Sequence, residues 1–149
     1  MARRAVEWWR ASLATGGDAT RKEEALLGAL LHAEELPEAA ELAARLLARD
    51  ETSPRWIGYS GLVAARRGRR EDAERALAEL GRLQAPYAAG EREFWRAAIT
   101  AWLGRSDEAT RLLRQAFGAG YSQADVRCHL PLEPLRGYPP FEELTRPRG

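Results

Sequence analysis

Several residue types are scarce in this sequence, and each shortage excludes a class of protein. A single cysteine, Cys128, excludes an internal disulfide, and a reducing, cytoplasmic location is the simplest expectation. The longest uninterrupted apolar stretch, residues 25–31, is far shorter than the roughly 20 residues that span a bilayer. The 23 basic and 22 acidic residues leave a net charge of only +1. This balance gives no electrostatic reason to expect binding to nucleic acid or to an anionic membrane.

Recognised catalytic and metal-binding motifs are missing as well. The chain has no Gly-x-Ser-x-Gly elbow, no phosphate-binding loop and no Gly-x-Gly-x-x-Gly motif. The soft metal ligands are Cys128, His129 and His32, and the adjacent pair Cys128-His129 is neither a zinc spacing nor a convergent catalytic pair. We expect a buried Cys128 and a partly exposed His129. Acidic pairs such as Glu23-Glu24 are typical of solvated helix positions. The sequence therefore predicts no enzyme activity, no cofactor and no metal site.

What the sequence does contain is a recurrence of small residues. Gly28 and Gly61 are 33 residues apart, and so are Ala40 and Ala73, whereas Ala73 and Ala109 are 36 apart. Regular intervals of this size are typical of stacked helical units. Small side chains at such positions allow two helices to approach closely.

Two turns match each other best, at residues 68–73 and 104–109. Each begins with a glycine, which ends a helix in the left-handed conformation at little steric cost. Each continues with acidic residues, which favour the positive end of the next helix dipole. The pattern predicts a helix, a tight turn and a second helix in each case.

The whole chain is predicted to be one all-α domain. No valine- and isoleucine-rich alternating run occurs, so we expect no strand. Residues 84–87 are expected to form a long turn. The predicted helices cover residues 2–14, 21–34, 37–48, 54–67, 71–83, 90–103 and 106–119.

The spacing of these positions resembles the tetratricopeptide repeat, a helix-turn-helix unit of about 34 residues. In that family small residues fall at the eighth and twentieth places of each unit, here Gly28 and Ala40, Gly61 and Ala73, then Ala97 and Ala109. The sequence departs from the pattern at Glu35, where the turn glycine belongs. It departs again at Trp56 and Phe94, which lie one place before and one place after the expected aromatic residue.

The resemblance implies a right-handed α-solenoid of about three helical hairpins within a single domain, residues 1–149. An N-terminal helix and turn would occupy residues 1–19, the three hairpins residues 20–119 and a C-terminal cap residues 120–149. Leu132, Leu135, Phe141 and Leu144 are placed to cover the exposed end of the last hairpin.

The tail carries a second resemblance. Residues 132–144, with the order Pro-Leu-Arg-Gly, then Pro-x-Phe, then Leu, look like the closing segment of many bacterial tetratricopeptide proteins. In those proteins the repeats often follow a serine/threonine kinase, a nucleotide cyclase or a transcriptional-activator domain. The resemblance implies that this chain is the regulatory part of a bacterial signalling protein or a free-standing relative of one.

The family register also implies a binding surface. The first helix of each unit would line a concave groove that holds a peptide, with an acidic end near the cations of the first two units. The asparagine-bearing clamp of chaperone-binding relatives is excluded because the chain has no asparagine. The alternative is that the aromatic residues belong to the core and the arginines are simply solvated. The candidate groove residues are Lys22, His32, Arg55, Leu62, Arg66, Phe94 and Trp102.

Two functions remain open at this point. The first is a non-catalytic scaffold that binds a protein or peptide partner. The second is a structural module that forms homo-oligomers, a homodimer being the simplest, without a peptide ligand. Trp8 and Trp9 bear on the second, because adjacent residues on a helix point about 100° apart. One of them is expected to pack on the first repeat and the other to be partly exposed.

Overall fold

The computed structural model describes residues 1–84, 90–124, 126 and 129–147, and within them every regular element is a helix and no β-strand occurs. A 3-10 helix, Leu130–Leu135, lies between the last two α-helices. No helix in this part of the chain has the length and apolar character needed to cross a membrane. The α-helices are α1 (Ala2–Leu13), α2 (Ala19–His32), α3 (Leu36–Arg49), α4 (Pro54–Arg66), α5 (Arg70–Arg82), α6 (Glu91–Trp102), α7 (Ser106–Gly118) and α8 (Pro139–Leu144).

The seven long helices confirm the sequence-based prediction to within two residues at every end. Side-chain caps explain the starts of two of these helices. The Asp18 side chain accepts a hydrogen bond from the backbone N–H of Arg21 at the start of α2, and Ser53 does the same for Trp56 at the start of α4. Pro54 opens α4, where its missing N–H costs nothing. Most of the predicted long turn and Cys128 lie outside the described residues.

The helices pack mainly on their neighbours in sequence, from α1 on α2 through to α6 on α7. The distances of α4 from α6 and from α2 differ. Helix α4 packs closely on α6, whereas α2 approaches α4 much less closely. A cleft can therefore open between α2 and the α4–α6 pair.

Two glycines of α4 explain its close approach to α6. A Cβ placed on Gly58 would lie 2.2 Å from Cδ2 of Trp95. A Cβ on Gly61 would lie 2.5 Å from Cδ1 of Ile99 and 2.7 Å from Cβ of Ala76. No side chain fits in these spaces, so the α4 backbone lies directly against the side chains of Trp95, Ile99 and Ala76. The prediction that Gly61 serves close helix packing is confirmed.

The other small positions of the second and third units are also buried as expected. Ala73, Ala97 and Ala109 are fully buried in the core. Each lies on a helix that packs against its neighbour along the chain. The spacing that led to the prediction therefore reflects helix packing.

The first unit is displaced by one residue from its predicted register. Gly28 and Ala40 are only partly buried, and a Cβ on Gly28 would meet no atom within 4 Å. Their predecessors, Leu27 and Ala39, are fully buried. The equivalent of the small residue Gly61 is therefore Leu27.

The turn after α2 shows why the register shifts. Glu34 has φ 59°, in the left-handed region, as Gly68 and Gly104 do at the equivalent turns. In all three turns the next residue bonds back to the preceding helix, for example from Glu35 N to Leu30 O at 3.0 Å. The turn residue is thus Glu34, and the prediction that placed it at Glu35 is wrong by one position.

The C-terminal segment covers the end of the helix array as predicted. Leu132, Leu135 and Phe141 are buried and Leu144 is half-buried. The 3-10 helix packs on α6 and α7, and α8 packs on α7. The hydroxyl of Tyr138 donates a hydrogen bond to the Asp107 carboxylate at the start of α7.

Candidate binding cleft

The structure does not bring all seven candidate groove residues together. His32, Arg55 and Phe94 line one cleft, whereas the other four have different roles. Among those four, Lys22 is engaged at the end of α1. Its ammonium donates to the carbonyls of Ser12 at 2.6 Å and of Thr15 and Gly16 at 2.9 Å each. It satisfies carbonyls at a helix C-terminus, where a cation is favourable.

Leu62 is not at the surface. It is fully buried, because it follows Gly58 by four residues and so lies one turn further along the face of α4 that α6 covers. The expectation that Leu62 contacts a ligand in the groove is therefore wrong.

Arg66 and Trp102 contact each other and hold helices together. The guanidinium carbon of Arg66 lies 4.6 Å from the centre of the Trp102 ring. Arg66 also donates to the Leu31 carbonyl at 2.9 Å, and Trp102 donates to the Pro131 carbonyl at 3.1 Å. Burial lowers the pKa of Arg66, and this exceeds the opposing effect of nearby carboxylates. The pair thus joins α2, α4, α6 and the tail.

The cleft itself is an open cavity of about 440 Å³. Helix α2 forms one wall with Gly28 and His32, and α4 and α6 form the other. Residues from the segment after α7, among them Tyr121 and His129, close one side. A volume of this size lies within the usual range for ligand sites.

Aromatic rings make up much of the cleft lining. Phe94 stacks on Tyr121 with ring centres 4.5 Å apart and planes 10° from parallel. Tyr59 lies 4.5 Å from Trp95, and His129 meets Phe94 edge-on at 5.8 Å. The prediction that His129 is partly exposed understates its exposure. Phe94 is almost fully buried, so it supports the cleft floor more than it offers an open face.

One arginine connects three helices within the cleft. Arg55 on α4 donates from Nη1 to Glu24 on α2 and from Nε to Glu91 on α6, at 3.2 Å each. Burial lowers the pKa of Arg55, but the two carboxylates raise it by more, so the guanidinium stays charged. The expectation that Glu24 is an ordinary solvated residue is wrong, because it is half-buried and paired.

The two tyrosine hydroxyls in the cleft are held in their neutral form. Burial raises the pKa of Tyr59, and the negative charge of Glu24 raises it further. Burial and the nearby Glu91 raise the pKa of Tyr121 to about 12.

A second furrow lies on another face, between α3 and α5, with a volume of about 340 Å³. Its floor is α4, including Ile57 and Gly61, and its rim includes the ion pair of Arg75 with Asp72. It lacks the aromatic rings and the shared guanidinium of the first cleft. We therefore regard the cleft at Arg55 as the candidate site.

Within the described residues no group of three or more His, Cys, Asp or Glu side chains could hold a metal ion. A scan against protein-family models, a search of curated proteins and a search of solved structures each found no match to this chain.

The tryptophans of α1 lie apart from the cleft. Trp8 is 62% exposed, whereas Trp9 is half-buried and packs on the core. Their rings contact each other edge-on at 4.4 Å. This confirms the expectation that one packs and the other is exposed.

Proposed function

We propose that the chain is a non-catalytic interaction scaffold of the tetratricopeptide kind, which binds a segment of a partner polypeptide in the cleft between α2, α4 and α6. The observation that carries the proposal is the cleft itself. It lies along the first helix of each successive helix pair, and it combines aromatic walls with a few fixed polar groups. Such a lining is typical of binding sites.

The helix arrangement supports the solenoid part of the proposal. There are three helix pairs, α2 with α3, α4 with α5 and α6 with α7. Within each pair the two helices pack on each other and are connected by a left-handed turn, at Glu34, Gly68 and Gly104 respectively. Repeated units that cannot bury their apolar faces alone are stabilised by stacking on the next unit. We propose that they stack with a right-handed twist and that the chain regulates a bacterial signalling protein.

A blocking substitution tests the binding site. Gly28 lines the cleft and has open space where a side chain would project, so Gly28→Tyr fills the cleft without displacing core atoms. Gly81→Tyr is the matched control, because Gly81 is exposed on α5 and also has no atom within 4 Å of its Cβ position. Peptides are first selected from a random display library against the unmodified chain.

The selected peptides should bind the Gly81→Tyr variant as well as the unmodified chain and should lose most of their affinity for the Gly28→Tyr variant. Equal affinity for both variants would place binding elsewhere on the molecule. Circular dichroism of both variants would check that the helices are retained.

The exposure of Trp8 favours the alternative, a homo-oligomerisation module. Large aromatic residues are enriched in interface cores, so an exposed tryptophan on α1 suits a contact between two copies. Light scattering separates the two functions. A dimer that Trp8→Glu converts to a monomer would support the alternative, and a strict monomer would eliminate it.

A further inference from the structure

We infer that the cleft selects a positively charged side chain, so that the bound segment inserts an arginine or a lysine beside Glu24 and Glu91. This inference rests on the proposed function and specifies the chemistry of its partner. It is opposite in sign to the acidic peptide expected from the sequence alone.

The acidic and basic residues that line the cleft are unequal in number. Among the described residues that line it, Glu24 and Glu91 are acidic, Arg55 is basic, and the two histidines are exposed at the mouth. With neutral histidines, the lining therefore carries one carboxylate more than its single guanidinium neutralises. A ligand cation would restore the balance.

The geometry of Arg55 leaves the carboxylates open to a second cation. Its hydrogen bonds reach one oxygen of Glu24 and one oxygen of Glu91, each at the long distance of 3.2 Å. A carboxylate has two oxygens and about four acceptor sites. Both glutamates can therefore keep Arg55 and still accept donors from a ligand.

The effects of the charged residues on the two tyrosines also indicate an excess of negative charge in the cleft. At the Tyr59 hydroxyl, the carboxylate of Glu24 raises the pKa by more than Arg55 lowers it. At the Tyr121 hydroxyl, Glu91 likewise outweighs Arg55. The negative charge thus dominates at two separate points, one near each glutamate.

The aromatic lining adds attraction for a cation. Tyr59 and Tyr121 are half-buried, and each has a second ring close by, Trp95 at 4.5 Å and Phe94 at 4.5 Å respectively. Ring faces attract ammonium and guanidinium groups, most strongly where water is partly excluded. A guanidinium also stacks on a ring while its N–H groups reach a carboxylate.

The cations once expected to hold an acidic peptide end are already engaged. Lys22 satisfies the carbonyls at the end of α1, and Arg55 lies between two glutamates. An acidic segment would meet the excess carboxylate and would be repelled.

The test uses three pentapeptides with blocked ends that differ only at the central residue, which is arginine, citrulline or glutamate. Citrulline keeps the shape of arginine without its charge. Titrations are followed by NMR, using the indole N–H of Trp95 and the backbone N–H groups of α4 and α6. The arginine peptide should bind about tenfold more tightly than the citrulline peptide, because the uncharged citrulline side chain loses both the ion pair and the attraction to the rings. The glutamate peptide should bind weakest.

Substitutions in the cleft give effects of opposite sign. Glu91→Gln should weaken binding of the arginine peptide about two- to fivefold, the range for one partly exposed charge pair. Arg55→Gln should strengthen it, because a competing cation is removed. Glu41→Gln, at an exposed position on α3, is the matched control and should change nothing. A lysine version of the peptide shows whether ammonium is accepted as well as guanidinium.

Failure of this inference is distinguishable from failure of the proposed function. If Arg55→Gln weakens the arginine peptide, or if the citrulline peptide binds equally well, charge selection is overturned. Selected peptides without a basic residue that still lose binding to the Gly28→Tyr variant would keep the cleft as the site and overturn its charge preference. Self-association that arginine peptides do not displace would count against both.

Discussion

Gly58 of α4 lies directly against the indole ring of Trp95 on α6, with three ring atoms within 2.6 Å of the point where a Cβ would be. This contact sets the distance between the two helices. It also places Trp95 beside Tyr59, in the wall of the cleft. Packing in the core and the shape of the site are therefore coupled at one glycine.

Gly58→Ala should destabilise the fold. Alanine favours a helix over glycine by up to about 1 kcal/mol, but an overpacked methyl group costs about 1–3 kcal/mol. We expect a net loss of about 1–2 kcal/mol in the free energy of unfolding, measured by urea denaturation. Gly81→Ala is the control, since its Cβ meets no atom within 4 Å, and it should stabilise the protein. Stabilisation by both changes would contradict the packing described.

Glu34→Gly should stabilise the turn after α2. The left-handed conformation of Glu34, at φ 59°, costs a non-glycine residue about 1–2 kcal/mol. Glycine removes this strain, but part of the benefit is offset because glycine is freer in the unfolded chain. We therefore expect the free energy of unfolding to rise by about 0.5–1 kcal/mol. Glu35→Gly is the control, because Glu35 has φ −81° and should lose stability. If the two effects were reversed, the turn would be centred at Glu35.

The same turn shows how far the sequence could predict the fold. Gly68 and Gly104 mark their turns by residue type, and the helices around them were predicted correctly. Glu34 carries no such mark, because nothing in its side chain indicates a left-handed backbone. Gly28 and Ala40 are small residues that lie next to the residues that are actually buried, so they placed the first unit one residue out of register.

The candidate site was predictable only in part. His32, Arg55 and Phe94 were identified from the family register, and they line the cleft. Glu24 and Glu91 were missed, because they meet Arg55 across 31 and 36 residues of sequence, which depends on how the helices are arranged.

Tyr121 was missed for a related reason. It follows α7 in an irregular segment, so no helical periodicity indicates which way its ring points. Its stacking on Phe94 exists only once that segment has returned to α6. The nature of the lining, and hence the sign of its charge, is a property of the tertiary structure.

Lys22→Met should loosen α1 without affecting the cleft. The three N–H groups of the ammonium are shared among four acceptor oxygens of Ser12, Thr15 and Gly16, and methionine keeps the apolar stem without these hydrogen bonds. We expect the free energy of unfolding to fall by about 1.5–3 kcal/mol, the range for hydrogen bonds to a charged group. Hydrogen exchange should show faster exchange across α1. Arg21→Met is the exposed neighbouring control and should leave exchange unchanged.

An arginine peptide should still bind the Lys22→Met variant with unchanged affinity. Any loss of affinity in parallel with the loss of protection in α1 would place Lys22 in the binding surface after all.

Alkaline titration should reveal the two half-buried tyrosines of the cleft. Phenolate absorbance in the near ultraviolet should show that Tyr121 ionises at about 12 and that Tyr59 also ionises late, above the ordinary value of 10.0. The folded state favours the protonated phenol, so this contribution to stability is complete below the unfolded pKa. It is lost as the pH rises from about 10 through about 12.

Tyr121→Phe should remove one late-ionising group, and concentrated guanidinium chloride should remove the delay altogether. Glu91→Gln should lower the pKa of Tyr121, because the charge of Glu91 helps to raise it. An unchanged titration in the Glu91→Gln variant would mean that the carboxylate does not act at the Tyr121 hydroxyl. The negative field on which cation selection depends would then have no support at that side of the cleft, whatever the affinity of the peptides.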